Sequence, residues 1–181
     1  MAKPFHRLLA FYSNRSPHPN NQMIRLIDSL RGNLALGLDF PVALAVALTR
    51  HLFLRNTGLF SLTIYIPKVA TEKTLLDGVP INEKHAYSRS EIVSLARKKN
   101  GWTSAADTFG VWSLAADVKT GLINGGDLKA FQEGALLEKI EKRRKDRSQV
   151  LPLWRGGPVS VAGHSWAVRR VFGVEVYRLK L

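Results

Sequence analysis

The sequence predicts a mainly α-helical fold with minor short strands, and three observations carry that expectation. Apolar residues recur at helical spacing along most of the chain. Of 181 residues 45% are apolar and 23% charged, enough for a sizeable core and incompatible with wholesale disorder. Strand-like patterning is confined to one central segment and the C-terminal end. The length fits a helical domain over residues 1–150, with a Gly- and Trp-containing extension over 151–181 packed on it.

Taken in order, Met23, Ile24, Leu26, Ile27 and Leu30 predict a short helix over 21–31. Gly32 and Gly37 then loosen the pattern. Pro41 stands where a helix can begin, and 42–54 is apolar except for Thr49, Arg50 and His51. Those thirteen residues span about 20 Å as a helix, short of a hydrocarbon core of about 30 Å. A buried core helix is expected, with a segment lying in a lipid interface as the alternative. Residues 59–66 read as a strand or buried extended loop ending at Pro67, and 67–88 as irregular chain with a turn at Asp77-Gly78. Ser88 and Glu91 have capping-box spacing for a helix that ends at Asn100-Gly101. Trp102, Ala105, Phe109, Trp112 and Ala116 share one face of the next helix. A last helix is expected from Asp127 to Arg147, with 159–161 and 171–177 as short strands beyond it.

Lys and Arg number 27 against 14 acids, a formal charge of +13 split as +6 over residues 1–90 and +7 over 91–181. Such an excess calls for an anionic surface or ligand. The basic run 139–147 is interleaved with acids and reads as a solvated helix face, with lipid headgroups and then RNA as further contacts. No RNA-recognition motif is present, which argues against nucleic acid. Absence of cysteine excludes disulfides, thiolate-bound zinc, iron–sulfur clusters and a Cys nucleophile. The first twenty residues contain no continuous apolar stretch, so no secretory signal is expected there.

Residues 117–127 have the outline of a calcium loop. With Gly121 at the sharp turn and Ile123 at the eighth position, positions one, three, five and twelve are Ala116, Val118, Thr120 and Asp127. That is too few oxygens for calcium, so neither calcium nor another metal site is expected.

The segment 108–142 (TFGVWSLAADVKTGLINGGDLKAFQEGALLEKIEK) resembles the C-terminal part of the caleosin/peroxygenase family. Residues 31–51 (RGNLALGLDFPVALAVALTRH) resemble the segment entering that family's central hydrophobic region, and 64–68 (IYIPK) the sequence just after it. The resemblance implies two helix–loop–helix units of EF-hand type around a central hydrophobic helix. Both are degenerate here: the stretch matching the family's N-terminal calcium loop, Ser13 to Asn20, holds no carboxylate. Asn56-Thr57-Gly58-Leu59 stands in place of the family's proline knot. It also implies haem between two histidines, for which His6 and His51 are the candidates; where the family's second histidine falls, residues 69–73 contain none.

The implied function is an enzyme acting on a lipophilic small molecule, by peroxygenase-type oxygen transfer if haem binds. The alternative is a haem-free biosynthetic cyclase, isomerase or dehydratase working by acid–base catalysis. There His51, in an otherwise apolar segment, would act with Tyr65 or Asp39. The pocket would be lined by the central helix, Tyr65 and the face of Trp102, Phe109 and Trp112, with His164 and Trp166, since Gly163 lets backbone approach a ligand. His18 and His85 read as exposed loop residues, and His164 as a turn residue. The expected location is cytoplasmic, with peripheral attachment to endoplasmic reticulum or lipid droplets. A non-catalytic lipid-surface or RNA-associated basic protein is the remaining class.

Overall fold

A computed structural model describes residues 3–17, 22–58, 61–100 and 104–177, with the backbone alone for 99–100 and 104–107. Eight α-helices lie among the described residues: α1 Pro4–Ser13, α2 Leu26–Ala35, α3 Phe40–Leu54, α4 Arg89–Asn100, α5 Ser104–Ala115, α6 Gly125–Gln132, α7 Leu136–Arg144 and α8 Val161–Phe172. Extended structure is limited to four two-residue strands, β1 Met23–Ile24, β2 Ile64–Tyr65, β3 Ala86–Tyr87 and β4 Ile123–Asn124. The chain is mainly helical, as its patterning predicts.

The strands form two antiparallel ladders. In one, Ile24 faces Ile64 and Met23 faces Tyr65; in the other, Tyr87 faces Ile123 and Ala86 faces Asn124. Ile24, Ile64 and Ile123 are wholly buried, so each ladder anchors its loops by apolar burial beside its few hydrogen bonds. A helix follows β1 and another precedes β2, and the same holds for β3 and β4.

Local chemistry explains most helix boundaries. α3 starts with Pro41 in its first turn and Asp39 as N-cap, its carboxylate accepting from the Phe40 N–H. At α4 the capping box is complete: Ser88 N–H donates to Glu91 and the Glu91 N–H to the Ser88 hydroxyl. The Ser88 amide first, then the Ser88 hydroxyl and His85, all bonded to the Glu91 carboxylate, hold its pKa down at about 2.

The helix expected over 21–31 begins at Leu26 and runs through Gly32 to Ala35. Gly32 is required by packing: a Cβ there would meet the Tyr12 ring at 2.4 Å. The helix expected over 127–147 is two helices. Gly134 breaks it at φ +79°, and a Cβ at that position would lie 2.2 Å from the Pro4 carbonyl oxygen. Residues 159–161 and 171–177, expected as strands, belong to or flank α8. There Ser160 caps the N-terminus, Gly173 ends the helix, and His164, Ser165 and Val168 face inward at helical spacing. Tertiary burial overrides the β-branched valines. Of the segment expected as a strand over 59–66, only 64–65 is β, and 59–60 lie outside the described residues.

Two apolar clusters result. The larger joins α1, both ladders and α4 to α7; the smaller packs Leu30, Leu34, Leu38 and Ala43 against Leu151, Val168, Val176 and Tyr177. Residues 151–177 are thus packed on α2 and α3. Two arginines clamp the clusters. Arg144, 1% exposed, donates to the carbonyls of Leu36, Leu114 and Gln149. Arg155 donates to the carbonyls of Ser113 and Ala116 at the C-terminus of α5. Arg144 corrects the expectation of a wholly solvated basic face over 139–147. Its burial pushes the guanidinium down to about 10.

Candidate functional site

A cavity of about 1020 Å3 lies beside α3. Ala45, Val46, Thr49, Arg50, Phe53 and Leu54 supply its α3 wall, and α1, α5, α6 and α7 contribute Leu8, Leu114, Phe131 and Ile140. This wall follows from the sequence of α3. Its buried line is small and polar, with Ala43, Ala47 and His51 inward, so the larger apolar side chains are displaced to its flanks. Phe53 is 82% exposed and Leu52, Phe40, Val46 and Val42 are partly so, leaving an apolar side of α3 uncovered.

Polar groups on the cavity wall are few. Arg50 Nη2 donates to the Tyr12 hydroxyl (2.8 Å) and to the Asn33 side-chain oxygen (3.2 Å), and Asn33 in turn donates to the Ala43 carbonyl. Its guanidinium lies 3.8 Å from the Tyr12 ring centroid. Burial lowers its pKa. Thr74 is also among the wall residues, with a buried hydroxyl that has no partner among the described residues.

His51 is not on that wall. It is fully buried behind it, with Nε2 2.8 Å from the Ser29 hydroxyl and Nδ1 bonded to the Leu62 carbonyl. Burial, above all, lowers its pKa and keeps the ring neutral. Among the described residues no hydrogen bond joins it to Tyr65 or Asp39, the partners expected from sequence. The Tyr65 main chain is bonded on both sides to the Asn56 side chain. Asp39 instead meets His164 Nδ1 at 3.2 Å, across 125 positions of sequence.

His164 is therefore a buried residue of α8 and not a turn residue. Burial lowers its pKa despite the neighbouring Asp39 carboxylate. The pair lines a separate cleft of about 320 Å3 with Phe40, Val159 and Phe172. Trp166, expected in the pocket, is 70% exposed. Phe109 and Trp112 also lie elsewhere, in a tilted aromatic row with Trp154 flanked by Arg89 and Arg155. Trp102 lies outside the described residues, as does His18; His85 is exposed and meets Glu91. Arg50 and Thr74, which do line the cavity, carried no signal in sequence beyond a lone cation in an apolar run.

Haem is tested by the histidines themselves. The cavity wall carries no histidine among the described residues. His6 Nε2 donates to the Val69 carbonyl at 2.9 Å, and both nitrogens of His51 are occupied. Axial ligation through His51 Nε2 would break its buried bond to Ser29, and the ring is wholly buried away from the cavity, so these residues do not fit a bis-histidine haem in that cavity.

The 117–127 loop uses its oxygens internally. Asp117 Oδ1 accepts from the Lys119 and Thr120 amides and the Thr120 hydroxyl, while Asp127 is bonded to Arg143. Gly121 takes φ +70° at the turn. Among the described residues there is no group of three or more His, Asp or Glu placed to hold a metal ion. No helix there is long and apolar enough to cross a membrane. Comparison with family models, curated proteins and solved structures returns no match for this chain.

Proposed function

We propose that this protein binds a lipophilic small molecule in the α3 cavity and acts on it, without haem, on a caleosin-like scaffold. The carrying observation is the cavity. It has the size of sites that enclose drug-sized ligands and a wall of apolar side chains with a few polar groups. The scaffold reading draws support from the helix–strand order, in which β1 and β4 each follow a helix and lead into the next, each paired in its own two-residue ladder, and from Gly121 at the turn of the 117–127 loop. The haem-free branch is favoured because His6 and His51 are already bonded. In a cyclase, isomerase or dehydratase reaction Lys73 at the wall would exchange the proton, and the Arg50 cation on the same wall would stabilise developing negative charge.

Nile red, a neutral apolar dye, tests the binding claim. It is expected to bind saturably, one per chain, and to be displaced by decanol; no saturable binding overturns the reading. Haemin added to the protein is expected to give no stoichiometric bis-histidine Soret spectrum, and such a spectrum would restore the peroxygenase branch.

Peripheral attachment to a membrane or lipid-droplet surface from the cytoplasmic side is a second reading. The exposed apolar side of α3, with Leu52 and Phe53 foremost, and the charge of +13 favour it. Flotation with anionic vesicles, lost in a Leu52→Ser/Phe53→Ser variant, is the expected result. Equal flotation of both proteins contradicts it.

A further inference from the structure

We infer that the lipophilic ligand enters and leaves the α3 cavity by direct contact with an anionic lipid surface, with an exposed stripe of α3 as the docking face. The inference rests on the cavity reading above and adds the route by which that site is filled.

Val42, Val46, Thr49 and Phe53 recur at helical spacing and lie along one side of α3. All four are exposed, Phe53 by 82%. Val46, Thr49 and Phe53 also belong to the cavity wall, whereas the wall residues Leu8, Phe131 and Ile140 are buried. A side chain that is exposed and lines a cavity stands at its rim, so the cavity opens onto the apolar side of α3. The stripe is apolar apart from Thr49, and the apolar surface continues past the rim at Val42 and Leu52. Carrying each CH2 of a lipophile through water is unfavourable, so direct exchange with a lipid phase is the faster route for such a ligand.

Charge names the surface. α3 carries no acid between Phe40 and Leu54, and Arg55 follows as its exposed C-cap. Lys73 stands among the exposed wall residues, its side chain 79% exposed. The two acids of the 71–77 segment, Glu72 and Asp77, are each paired with a lysine, Lys3 and Lys73. With +13 over the whole chain, an apolar face flanked in this way suits anionic headgroups. A second copy of the chain would bring like charge to the same face, which disfavours it as the occupant.

Stopped-flow transfer of Nile red from loaded protein to vesicles that carry a lipid-linked quencher tests this. With vesicles of phosphatidylcholine and phosphatidylglycerol in equal parts, the wild-type rate is expected to rise in proportion to vesicle concentration over about a tenfold range, as an encounter does. Pure phosphatidylcholine should be slower by about fivefold, the scale of one cation at an anionic surface. Sodium chloride at about 0.5 M should remove that difference. Leu52 is 57% exposed beside the stripe and is not a wall residue. Leu52→Glu should leave Nile red affinity in water within about twofold and make the rate independent of vesicle concentration, while Leu52→Met behaves as wild type. A wild-type rate that does not change with vesicle concentration means that the dye leaves through water; it overturns the inference while the cavity reading survives. Transfer by dye-binding Leu52→Glu at the wild-type rate overturns it too, as do equal rates to neutral and anionic vesicles. A wild-type dimer that Leu52→Glu dissociates on gel filtration would give the face to a second copy and likewise overturns it. Failure of wild type to bind Nile red removes the cavity reading itself.

Discussion

Ser29 and His51 are joined by a buried 2.8 Å hydrogen bond between the serine hydroxyl and Nε2. The Leu62 carbonyl can only accept, which places the ring proton on Nδ1 and leaves neutral Nε2 to accept from Ser29. The ring thus ties α2 and α3 to the chain entering β2. In an enzyme with an open site a serine–histidine pair reads as nucleophile and base. Here both residues are wholly buried, and the pair is a structural bridge. Ser29→Ala leaves Nε2 without a donor and is expected to cost about 1–3 kcal/mol. His51→Ala removes both bonds and opens a void, for about 2–4 kcal/mol. Urea unfolding measures both, and losses under about 0.5 kcal/mol would contradict the bridge.

The same ring sets a pH dependence, together with His164. Burial holds both pKa values below the ordinary 6.5. Between the folded values and 6.5 the unfolded chain binds more protons, so unfolding free energy rises with pH in that window. Stability is therefore expected to be flat above about pH 7 and to fall as the pH is lowered through the window. The urea midpoint followed from pH 7.5 to 5 checks the sign; a midpoint that rises on acidification would refute it.

Arg155 secures the C-terminus of α5 by donating to the Ser113 and Ala116 carbonyls, oxygens that the helix itself leaves without partners. Arg155→Ala is expected to cost about 3 kcal/mol, a fall in Tm of about 10 °C. Arg155→Lys should recover less than half, because one ammonium does not reproduce the guanidinium fork. Thermal unfolding followed by circular dichroism reads both.

Much of the fold is legible in the sequence where local chemistry decides it. Pro41 and the apolar run after it predict α3, and Ser88 with Glu91 predicts the start of α4. Gly121 and Ile123 mark the turn and the buried ladder position of the 117–127 loop. What is hidden depends on distant packing. The break at Gly134 is dictated by Pro4, 130 residues earlier, and the helix at α8 by its burial against α2 and α3. Arg144 sits in a run of five basic residues out of six, from 142 to 147, and only the fold directs it inward to three carbonyls. The site suffered most. Sequence reasoning placed the pocket against the central helix, which does form a wall of the cavity, but it filled the rest with histidines and tryptophans, because those residue types carry chemistry most often. The rest of the wall is instead made of aliphatic and phenylalanine side chains, five helices in all contributing, with Arg50 as its half-buried cation.

The central claim is that the α3 cavity holds a lipophilic molecule. Thr49 is exposed at its wall, so an indole there fills the space without disturbing the core. Calorimetric titration of decanol into wild type and Thr49→Trp, with the fold of each checked by circular dichroism, tests the claim most directly. Saturable binding at one site per chain in wild type, lost or weakened by about tenfold or more in Thr49→Trp, is the predicted result. Absence of binding in wild type, or equal affinity in the two proteins, would contradict it.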